Sequence, residues 1–190
     1  MATVLEPRLG PEVVANRALI SGGRWGLEAL AASFRRLEGR LGASRRPAGA
    51  GASFLSTDVE DFFPSVGART VAGALLAAGV SAEDAKRAVT MLEGWAALGY
   101  RGLPIGPPAS AVVANAVLHS VDQAVGAPFA RWVDDYVVRL DTEHRATEVL
   151  ERMDEALDRL GLKRSLPKTR VGLQPGWAGS GVEPSRRYGP

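Results

Sequence analysis

Cysteine is missing from this 190-residue chain, which excludes disulfides, thiolate zinc sites and cysteine nucleophiles together. Histidine is nearly missing too, since only His119 and His144 occur, too few for a histidine-built metal centre. Any metal must therefore sit on carboxylates, whose hard oxygens suit magnesium or manganese. Long apolar runs are also lacking: the stretches at 70–80 and 109–121 are too short and too interrupted to cross a bilayer. The opening MATVLEPRLGPEVV has no basic segment leading into an apolar one, so the expectation is a cytoplasmic protein without a signal peptide or membrane partner.

What is present is ordinary globular material, with 46% hydrophobic and 23% charged residues, so most of the chain should fold. The length suits one domain, or one domain with a small appendage. The net charge is only +2, but the sequence pI is about 9.3. The basic residues are mostly arginines, clustered at 35–46, 159–170 and 186–187. Arginine forks grip phosphate bidentately, which is compatible with nucleic acid, although charge clusters usually just line a solvated surface.

Residues 24–41 place Leu27, Leu30, Phe34, Leu37 and Leu41 at helical spacing, with Arg35, Arg36 and Arg40 on other faces, and predict a basic amphipathic helix. A Gly, Ala, Ser and Pro-rich linker follows at 42–52, and FLSTDV at 54–59 reads as a short buried strand. Ser81 is placed to cap a helix over 82–98, with Glu83 and Asp84 in its first turn, where the helix dipole favours acids. GLPIGPP at 102–108 is turn chemistry, and a second helix is expected from Ala109 to Val125. FARWV and YVVRL flank Asp134-Asp135 and read as a hairpin joined by that two-residue turn. Ala146, Val149, Leu150, Met153, Leu157 and Leu160 share one face of a helix over 143–160, ended by Gly161. A short strand is expected near 169–172. The implied class is α+β, a small antiparallel sheet with helices packed on one face. The tail at 174–190 has no periodicity and is expected to be flexible.

The chemistry centres on acids. Aspartate tolerates turn angles well, so Asp134-Asp135 has a plain reading as turn residues. The flanks Trp132, Val133, Tyr136 and Val137 are apolar, however, and would press both carboxylates into a confined place. Two buried anions repel and are costly unless a cation joins them. A second carboxylate, Asp58, closes the apolar strand in DVEDFFPSV, while Glu60 and Asp61 read as solvated neighbours.

These pieces together resemble the reverse transcriptase family, in the bacterial branch of retron, group II intron and abortive-infection enzymes. DVEDFFPSV at 58–66 resembles motif A and GLPIGPPASAVVANAVL at 102–118 resembles motif B. RWVDDYVV at 131–138 is similar to motif C, and LGLKRSLPKTRV at 160–171 to motif D. Four motifs in the right order are far more specific than any one of them. The resemblance implies a polymerase palm at 54–173, a reduced fingers region at 1–53 and the tail at 174–190. It implies an RNA-directed DNA polymerase working on an RNA template, a DNA or RNA primer and dNTPs, with two Mg2+ or Mn2+ ions. Asp58, Asp134 and Asp135 match the metal-binding carboxylates, and the backbone carbonyl of Val59 matches an added ligand. Phe63 matches the steric gate that excludes a ribose 2′-hydroxyl. In motif B, Ile105, Gly102 and Gly106 fall where the backbone meets the nucleotide and template base, with Ser110 and Asn115 on the helix beneath. Lys168 matches the motif D lysine beside the pyrophosphate.

The chain departs from the family pattern at Ile105, where many relatives carry glutamine, at Ala111 in place of proline and at Trp132 in place of tyrosine. The family usually carries larger fingers before motif A and a thumb after motif D. The expectation is therefore low processivity, or a protein partner or second copy that completes the cleft, with the arginines of 24–41 facing template phosphates. The resemblance places the biological role in phage defence or mobile elements. Two other readings remain beside it: a palm that binds nucleic acid or a partner without polymerising, and a template-independent nucleotidyltransferase.

Overall fold

Residues 53–142 and 144–173 are described in the computed structural model, and they start at the first strand. In chain order the elements are β1 Ser53–Asp58, α1 Phe62–Ser65, α2 Ala68–Ala77, α3 Ala82–Ala97, α4 Pro108–Val125, β2 Phe129–Trp132, β3 Asp135–Leu140, α5 Arg145–Arg159 and β4 Arg170–Gly172. The four strands form one sheet in the order β2-β3-β1-β4, and all three pairings are antiparallel. The α+β class with a small antiparallel sheet is as the sequence implied.

Side chains alternate across a strand, so the register assigns each residue a face. Leu55 pairs with Val138, Thr57 with Tyr136 and Ser53 with Leu140. Leu55, Tyr136, Val138 and Leu140 belong to the main hydrophobic core, together with Val71 and Leu75 of α2, Leu92 of α3, Val117 and Val121 of α4, and Val149, Met153 and Leu157 of α5. The apolar stripes of the helices thus cover one face of the sheet. The opposite face carries a row in which Trp132 pairs with Asp135 and Asp135 with Asp58. The acidic residues therefore project away from the main core.

Local chemistry accounts for the longer helices. The Asp84 amide donates to Ser81 Oγ at 3.1 Å, capping α3 as expected. In α5, Ala146, Val149, Met153 and Leu157 are buried at the 3–4-residue spacing of one helix face, while Leu150 and Leu160 pack partly buried against the core.

Three expectations need correction or fall elsewhere. Four helices, not two, separate β1 from the hairpin. The additional ones are the single turn FFPS and α2, whose ARTVAGALLA is so rich in small residues that its buried stripe reduces to Val71 and Leu75. The hairpin turn is Val133-Asp134 rather than Asp134-Asp135, because Trp132 and Asp135 close the ladder as a pair. Val133 takes the left-handed backbone at φ 57, a conformation a β-branched residue rarely adopts alone. The expected helix at 24–41, the linker at 42–52 and the tail at 174–190 lie outside the described residues. Among the described residues no helix is long and apolar enough to cross a membrane.

Candidate metal centre

β1 ends in Asp58, and β3 begins with Asp135 directly opposite. Asp134 occupies the intervening turn. One carboxylate oxygen from each of Asp58, Asp134 and Asp135 lies within 4.8 Å of the others. Asp58 is 5% exposed, and the other two are half-buried. The meeting point is tied by the backbone. The Val59 amide donates to the Asp134 carbonyl at 3.3 Å, and the Ser165 amide to the Asp58 carbonyl at 2.8 Å. Val59, the expected backbone ligand, is itself buried immediately after Asp58.

The electrostatics reflect crowding. Burial first, and the Asp58 charge second, push the Asp134 carboxyl up to about 6. Lys168 Nζ donates to Asp58 Oδ2 at 2.8 Å, and this hydrogen bond holds its ammonium above the ordinary lysine range. Lys168 reaches the acids from a braced loop. Arg164 forms two 2.8 Å hydrogen bonds to Asp154 of α5 and a third, of 2.9 Å, to Thr169 Oγ1. The hydroxyls of Thr169 and Thr57 on β1 meet at 2.8 Å. Three converging oxygen donors, one of them reluctant to ionise alone, could hold a hard divalent cation.

Phe63 is half-buried and stands edge-on to the core residue Phe62, with ring centroids 5.3 Å apart. The 102–107 loop grips this turn: the Leu103 amide donates to the Phe63 carbonyl at 2.8 Å. Gly102, expected where the backbone approaches nucleotide and template base, is packed against the chain's own backbone. At φ +63, a Cβ there would lie 2.1 Å from the Phe63 carbonyl oxygen and 2.6 Å from the Pro64 carbonyl group. Its missing side chain admits the chain's own backbone. Gly106, at φ +109, faces open space, and Ile105 is 72% exposed, so both remain accessible on the 102–107 loop. Ser110 and Asn115 are buried on α4.

Sequence reasoning missed a buried polar network beneath the hairpin. Arg131, 0% exposed, donates from Nε and Nη2 to both oxygens of Asp122 on α4, at 2.8 and 2.7 Å. Its Nη1 donates to Asn115 Oδ1 at 3.1 Å and to the Val133 carbonyl at 2.6 Å. The Tyr136 hydroxyl donates to Asp122 Oδ1 at 2.8 Å. Burial opposes the Arg131 charge most strongly, yet Asp122, Tyr136 and Asp134 together outweigh it and hold the guanidinium above its ordinary range. The available signal was one acid inside the apolar stretch of α4 and one arginine inside an apolar strand, a pair that sequence leaves unmatched.

Compared with known proteins, the chain matches no family model and no curated protein sequence.

Proposed function

We propose that the chain is an RNA-directed DNA polymerase of the reverse transcriptase type, whose sheet and helices serve as a polymerase palm. The observation that carries this reading is the convergence of Asp58, Asp134 and Asp135, with Lys168 against Asp58, from three segments far apart in sequence. The four motif-like segments in their family order add to it.

In this reading Asp58, Asp134 and the Val59 carbonyl would hold two Mg2+ or Mn2+ ions, with Asp135 as the companion carboxylate. When bound, such ions would supply activation of a primer 3′-hydroxyl and charge neutralisation at the departing pyrophosphate. In-line phosphoryl transfer asks the protein mainly for positioning and charge neutralisation, which suits a chain without a cysteine nucleophile. Lys168 supplies positive charge beside the pyrophosphate. Phe63 packs under the sugar and disfavours a 2′-hydroxyl, so dNTPs are preferred. Ile105 and Gly106 border the incoming nucleotide through backbone and apolar contact.

The deciding experiment supplies purified protein with Mg2+ or Mn2+, labelled dNTPs and an RNA template, a DNA template or none, alongside Asp134→Asn. Incorporation that requires RNA and disappears in the variant supports the proposal. Template-free addition points to a terminal nucleotidyltransferase. Silence under every condition leaves a palm that binds without polymerising.

A further inference from the structure

We infer that Arg131 is a positioning residue for the acidic cluster, acting as a clamp that sets where Asp134 and Asp135 present their carboxylates. The inference rests on the metal reading proposed above.

The clamp is built around the two acids. On one side of them, Val133 is held at φ 57, and its carbonyl accepts from Arg131 Nη1 at 2.6 Å. On the other side, the Tyr136 hydroxyl is fixed on Asp122 Oδ1, the oxygen that also accepts from Arg131 Nε. The Asp134-Asp135 pair is thus bracketed by two residues that answer to one buried ion pair. That pair is anchored outside the hairpin, on α4, through Asp122 and Asn115.

Stability alone is a weak reason for this arrangement. Stripping water from an arginine and an aspartate is expensive, and well-packed apolar replacements of similar size commonly stabilise a fold as well or better. What an apolar pair cannot do is hold a main-chain carbonyl in a left-handed turn. Groups that orient metal ligands from behind typically change metal affinity by 10- to 100-fold when lost.

The test is a Mn2+ titration of the full chain, followed by the electron paramagnetic resonance signal of free Mn2+, with the thermal midpoint measured in parallel. Arg131→Lys keeps the charge but loses the fork, and its Mn2+ affinity is expected to fall at least about tenfold. The double variant Arg131→Met with Asp122→Leu is expected to regain the thermal midpoint while its Mn2+ affinity stays weak. If either protein fails to fold, Tyr136→Phe, which deletes one hydroxyl, is expected to weaken Mn2+ binding severalfold. Parental affinity in Arg131→Lys or Tyr136→Phe, or affinity that returns together with the midpoint in the double variant, overturns the clamp. Absence of Mn2+ binding by the parent refutes the metal reading itself, and the inference falls with it.

Discussion

Asp134 is pushed up to about 6 by burial and by Asp58, so the metal-free fold keeps its proton to higher pH than the unfolded chain does. A folded-state value above the unfolded one contributes stability that is complete below pH ~4 and disappears as pH rises through ~6. The metal-free chain should therefore lose on the order of 1–3 kcal/mol between these limits, read from urea midpoints across pH, and Asp134→Asn should flatten that slope. Mn2+ affinity should rise over the same window, because the proton must leave before a cation binds; affinity flat from pH 5 to 7 would contradict this. Gly102 allows a second prediction. Gly102→Ala drives a methyl into the backbone of Phe63 and Pro64 and should cost on the order of 3 kcal/mol. Gly106→Ala meets open space and should cost only about 1–2 kcal/mol, from its backbone angle. Equal costs would show that the close approach is unimportant. Of these residues, the acids were legible in sequence because apolar flanks make a pair of aspartates conspicuous. The close approach of Gly102 to Phe63 and Pro64 was not, since a glycine in a turn looks the same whether it faces a ligand or its own chain.

At the scale of elements, the capped and strongly periodic helices were readable. α3 announces itself through Ser81, and Ser81→Ala should lower stability by about 1 kcal/mol, seen as a shifted denaturation midpoint with an unchanged slope against denaturant. α5 was readable from its single apolar face. α1 and α2 were not, because one turn has no period and scattered small residues hide a two-residue stripe. The hairpin was found but its turn was placed one residue late. Local preference favours aspartates in a turn, whereas a buried arginine holding the Val133 carbonyl overrides that preference and forces valine into the bend.

For the molecule as a whole, the sheet separates its roles: one face is buried under helices, and the other carries the acids. The class of fold was legible from the mixture of elements. The order β2-β3-β1-β4 was not, because pairing β1 with strands roughly eighty and one hundred and fifteen residues away leaves no local signature. A cation binding only the assembled cluster must stabilise the entire fold. Mg2+ at a hundred times its dissociation constant adds about 2.7 kcal/mol, so the thermal midpoint should climb by several degrees, return with chelator, and not respond at all in Asp58→Asn.

Lys168, 54% exposed along its side chain yet bonded to Asp58, is a counterion on a leash. Diffusion cannot dilute it, so every incoming divalent ion competes against a resident at high local concentration. Lys168→Gln should consequently bind Mn2+ more tightly than the parent and, on the polymerase function proposed above, incorporate nucleotides more slowly. One lost charge would thus move occupancy and turnover in opposite directions.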